Sequence, residues 1–146
     1  MTSSNVRSLV RAVALGDTEQ AQTLNDRLND DERNELGVYG TAVLSVCLDH
    51  RFRDDSSRAA IDRFVEAMRS NYAKADPPLK VLAIEGVIRA FAGEDWILDE
   101  ISPEDQQATQ LPIIREIVAS SAELRGRIDD VLTDADQLAT AWASEG

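Results

Sequence analysis

Residues 79–98 read LKVLAIEGVIRAFAGEDWIL, and within 79–92 only Lys80, Glu85 and Arg89 carry charge. A run this short does not span a bilayer, which takes about 20 apolar residues. It fits instead a helix wrapped on nearly all sides by other helices. Ile84, Ile88 and Phe91 fall on one side of that helix, and Leu79, Leu82, Gly86 and Ala90 on another. Glu85 and Arg89 stand in the favourable i, i+4 order on the narrow polar strip that remains. The expected fold is therefore all-α: a compact irregular bundle of about seven helices, built from antiparallel hairpins around a buried central helix 79–92.

Upstream, Val6, Leu9, Val10, Val13 and Ala14 form the apolar stripe of a first helix. Gly16 ends it, and Asp17 stands as N-cap of a second helix with Gln20 at the third helical position. Ala21, Leu24 and Leu28 carry the second stripe, and so short a turn makes the two helices antiparallel neighbours. The cadence of Leu9, Val13, Gly16-Asp17 and Ala21 resembles one helical hairpin of the tetratricopeptide family. No second copy follows at about 34 residues, so no repeat array is expected.

Asp30-Asp31-Glu32 suits the positive end of a third helix, along which Leu36, Tyr39, Val43, Val46 and His50 keep helical spacing. Gly37 and Gly40 each cost about 1 kcal/mol there relative to Ala. They mark either a close helix–helix approach or a break near 37–40, and the close approach is the first reading. After the charged turn 51–55, Asp55 or Ser56 should cap a fourth helix with Ile61, Phe64, Val65, Met68 and Tyr72 inside. Asp76-Pro77-Pro78 then turns the chain.

Downstream, Gly93 closes the central helix, and 94–101 should form a short turn anchored by Trp96, Ile97 and Ile101. Ser102-Pro103-Glu104-Asp105 is a helix start, with the cap, a proline at the first position and acids in the first turn. Ala108, Leu111, Ile114 and Val118 give its stripe, with a kink expected at Pro112. A capping box at Ser120 and Glu123 should open a single last helix, whose Leu124, Ile128, Val131, Ala135, Leu138 and Trp142 repeat regularly. No strand-like alternation competes. One domain over residues 1–146 is expected, burying roughly 68–70% of the unfolded surface.

Arg7 and Arg11 interrupt the apolar residues near the start, so an export signal is not expected. A single cysteine, Cys47, leaves no disulfide within the chain. Both features fit a cytoplasmic protein, and an Ala- and Arg-rich composition fits a bacterial one. The net charge of −12 is uneven. Residues 1–50 hold four bases against eight acids, 51–89 eight against six, and 90–146 three against thirteen. That balance opposes direct nucleic-acid binding, which needs clustered bases on phosphate, and no membrane segment is expected.

Three places are candidate sites. Glu94, Asp95, Asp99, Glu100, Glu104 and Asp105 lie in a stretch without a base between residues 90 and 114. A solvated rim is the first reading, a surface for a basic protein the second, and a hard divalent cation the third. No calcium-loop pattern or Glu-x-x-His pair is present, so no metal and no cofactor is expected. His50, with Arg51 and Arg53, marks an alternative pocket for an anion or small molecule, although no nucleophile stands nearby. Trp142 ends the last helical seam, either buried against its own domain or docking a second copy or another protein's helix. These features favour a non-catalytic acidic interaction module of adaptor, inhibitor or immunity type over a small-molecule binder or enzyme.

Overall fold

The computed structural model describes residues 2–75 and 78–145, all of whose regular structure is helical. The helices are α1 (Ser4–Leu15), α2 (Thr18–Arg27), α3 (Asp30–Phe52), α4 (Arg58–Asn71), α5 (Val81–Phe91), α6 (Pro103–Ala119), α7 (Ala122–Gly126) and α8 (Ile128–Glu145). A 3-10 segment, Asp95–Glu100, joins α5 to α6. Among the described residues no helix is long and apolar enough to cross a membrane. The turn expected at Asp76-Pro77-Pro78 lies in part outside the described residues.

Local chemistry sets the boundaries. Gly16 takes the left-handed conformation at φ 78°, which a residue with a Cβ resists, and closes α1. The Asp17 carboxylate then accepts the Gln20 N–H at 3.2 Å and opens α2. α3 starts with a full capping box: Asn29 Oδ1 accepts from Glu32 N at 2.8 Å, and Glu32 Oε1 accepts from Asn29 N at 3.2 Å. Ser102 Oγ accepts from Asp105 N at 3.1 Å ahead of Pro103. α6 continues without interruption through Pro112, which gives up only its own N–H bond to the turn at the exposed Ala108.

Two expected caps are corrected. α4 is capped by Ser57, whose Oγ accepts from Ala60 N at 3.2 Å, and not by Asp55 or Ser56. Asp55 instead accepts from Ser57 N at 3.0 Å and shapes the preceding turn. Downstream, Ser120 Oγ donates back to the Glu116 carbonyl at 2.8 Å, and Ser121 caps α7 by accepting from Leu124 N at 3.2 Å. The single last helix is split: Arg127 leaves helical geometry (φ −119°, ψ 22°) directly after Gly126, a poor residue for a helix interior.

The bundle is organised around α3, which packs against α1, α6, α8 and more lightly α5. Tyr39, Val43, Leu44, Cys47 and Leu48 are buried along it, and the Tyr39 hydroxyl donates to the Leu132 carbonyl of α8 at 2.8 Å. Burial pushes the Tyr39 hydroxyl and the Cys47 thiol each up to about 12, so the thiol is inert. Gly37 and Gly40 do not break α3; they let it approach Gln107 and Gln110 of α6. Gln110 then donates to Thr41 Oγ1 at 2.8 Å across that contact.

The apolar helix 79–92 is buried along most of α5, as expected. α5 buries Ala83, Ile84, Gly86, Val87, Ile88 and Ala90 against α4, α6 and the 3-10 segment, but Leu82 is 82% and Phe91 43% exposed. At about 1.5 Å per residue, 23-residue α3 spans roughly twice the distance of 11-residue α5, and its contacts run from α1 to α8.

Candidate functional site

The 3-10 segment doubles back along α5, and Gly86 makes that possible. A Cβ on Gly86 would lie 2.6 Å from Ile101 Cδ1 and 3.1 Å from Ile97 Cγ2. Both ends of the segment are tied. At its start Arg89 donates to both Glu94 oxygens, at 2.8 and 2.9 Å. At its end Gln106 Nε2 donates to the Leu98 and Ile101 carbonyls at 3.0 and 2.9 Å. The Arg89 bond holds the Glu94 carboxyl below its ordinary 4.5.

The result is a fixed acidic strip. Glu94 is taken up by Arg89, and Asp105 stands 4.0 Å from Lys80. Asp95, Asp99, Glu100 and Glu104 are exposed and have no basic partner among the described residues. Trp96, expected to anchor the turn, is instead 58% exposed, while Ile97 is buried and Ile101 half-buried. With three residues per turn, Trp96 shares its edge with Asp99 rather than with the two isoleucines, and that spacing was the missed signal. Exposed Leu82 lies beside Asp105 at the opposite end of the strip.

A second polar feature is a cleft of about 790 Å³ between the C-terminal half of α3, the end of α5, and α7–α8. His50, Arg53, Phe91, Glu123, Arg127 and Asp134 line it. Several charged groups there are paired, whereas Asp54 and Asp134 on the same lining have no ion pair among the described residues. His50 Nε2 is 3.9 Å from Glu123, Arg53 is 2.8 Å from Asp49, and Arg127 is 3.5 Å from Glu123 and 3.9 Å from Asp130. Arg51 is not part of the cleft as expected; its guanidinium lies 5.2 and 5.5 Å from the Phe52 and Phe64 ring centres. Successive helix residues point about 100° apart, which separates Arg51 from His50. The one hydroxyl on the wall, that of Ser45, donates to the Thr41 carbonyl at 2.9 Å.

The third candidate changes character. Trp142 is half-buried and packs with Leu138 and Ala139 onto the protein's own core. Of the two tryptophans, Trp96 is thus the more exposed. Among the described residues no group of His, Cys, Asp and Glu side chains is arranged to hold a metal ion. Comparison with protein-family models, curated proteins and solved structures finds no match to this chain.

Proposed function

We propose that the protein is a non-catalytic helical interaction module that docks a basic partner protein on the strip 94–105, with Trp96 as the anchor. The observation that carries this reading is the exposed Trp96 set among four carboxylates that have no basic partner among the described residues. Interface anchors are typically aromatic, and surrounding complementary charge speeds encounter and selects partners. A segment tied at both ends also loses little conformational freedom on binding. An adaptor, inhibitor or immunity-type role would use such a surface, and a basic partner accounts for where the excess negative charge lies.

The test is native mass spectrometry of the protein gently isolated from its host, repeated with Trp96→Ala and with Asp99→Lys/Glu100→Lys. A protein-sized mass increment that both variants lose, and that weakens with salt, supports the reading. An increment that both variants retain overturns it. The volume of the His50 cleft falls in the range of small-molecule sites, roughly 300–1,000 Å³, and supports a second reading as a small-molecule binder. That reading requires a mass increment of a few hundred daltons that His50→Ala removes.

A further inference from the structure

Three arginines are half-buried: Arg7, Arg89 and Arg115. Arg7 donates to the Asp129 carbonyl and the Thr133 hydroxyl, both at 3.1 Å, and Arg89 is paired with Glu94. Arg115 of α6 has neither an ion pair nor a hydrogen bond among the described residues, in a chain with 27 acids. Its neighbour Glu116 is turned elsewhere and accepts from Asn71 Nδ2 at 2.8 Å.

The place kept for this guanidinium is specific. It lies over Gly16, where a Cβ would stand only 2.8 Å from Arg115 Cζ. Beside it is a hollow of about 310 Å³ between α1, α2 and α6. The walls are almost wholly apolar: Ala12, Val13, Ala21, Leu111, Pro112 and the ring of Tyr72. Small-molecule sites pair mostly apolar walls with a few polar groups, and this open hollow offers apolar walls with one guanidinium beside them.

We propose that this hollow binds a small amphipathic monocarboxylate, with the alkyl part against Val13, Ala21 and Leu111 and the carboxylate on the Arg115 guanidinium. A guanidinium fork matches a carboxylate in two parallel hydrogen bonds, which a neutral head group cannot reproduce. The alkyl part is needed as well, because a protein of net charge −12 repels a bare anion.

Octanoate is the probe, titrated into the full chain by calorimetry and followed by amide chemical shifts, with octan-1-ol and acetate as controls. The expected result is saturable one-to-one binding of octanoate, with shifts centred on Ala12, Val13, Gly16, Ala21 and Leu111 and no comparable binding of either control. Arg115→Gln should weaken it by about tenfold or more, the loss of one charge-assisted pair. Ala21→Phe, which fills the hollow and keeps the arginine, should block it. Non-saturating binding, equal affinity for octan-1-ol, or unchanged affinity in both variants overturns the proposal.

Discussion

The acidic strip and the His50 cleft are both polar, yet their charges are partnered to different degrees. In the cleft, Asp49 and Glu123 each face an arginine of the same wall, and Asp54 and Asp134 do not. On the strip, Asp95, Asp99, Glu100 and Glu104 face none among the described residues. The number of charged residues is similar; what differs is how much charge is left for another molecule. Exposed pairs such as those in the cleft contribute little to stability, at most about 1 kcal/mol each. They do weaken the local field, whereas a row of carboxylates with no basic partner projects it in full.

The largest expected effect removes what both regions stand on. Ile88→Ala should lower unfolding free energy in urea by about 2–5 kcal/mol, because the side chain is fully buried and its loss leaves a cavity. A loss below about 1 kcal/mol would show that α5 supports neither region. Next, Gly86→Val should separate them. Its side chain collides with Ile97 and Ile101, so about 1–3 kcal/mol is lost. The strip should shift while the shifts of His50 and Arg53 stay in place. If the His50 resonances move as much as those of Trp96, the two regions are one coupled unit.

Tyr39→Phe is the counterpart on the other side, releasing the hydrogen bond that pins α8 to α3. A cost of about 1 kcal/mol is expected, with amide exchange quickened in α8 and unchanged at Trp96. The smallest effect is Arg89→Gln. Glu94 has a folded pKa held below its ordinary value of 4.5 by Arg89. The folded state therefore binds fewer protons than the unfolded state in that window, and the stabilisation is present above it and lost as pH falls through the folded value. Arg89→Gln should lower Tm slightly near about pH 7, and the difference should vanish at an acid pH well below the folded value of Glu94. An equal drop at both pH values would assign Arg89 a packing role instead.

Much of the fold is legible in residue order alone. Apolar spacing places the helices, and Gly16, Asp17, Ser102 and Pro103 place boundaries, because helical periodicity, left-handed φ and capping depend on a few adjacent residues. Where two hydroxyl residues adjoin, as at Ser56-Ser57 and Ser120-Ser121, local pattern is degenerate and packing selects the second of each pair. The acidity of 94–105 is likewise visible in the chain. Which of its acids remain available is not, since that depends on Arg89 and Lys80 reaching Glu94 and Asp105.

By itself, then, the sequence determines an all-helical protein, most of its breaks and the acidic stretch, all consequences of short-range chemistry. Tertiary structure alone decides that the long helix α3 also ties the bundle together, by packing against α1, α6 and α8. It also exposes Trp96 and covers much of Trp142, turns Arg51 away from His50, and leaves Arg115 without a described partner over an apolar hollow. Each of those outcomes depends on what a distant helix brings alongside, and no local pattern encodes that neighbour.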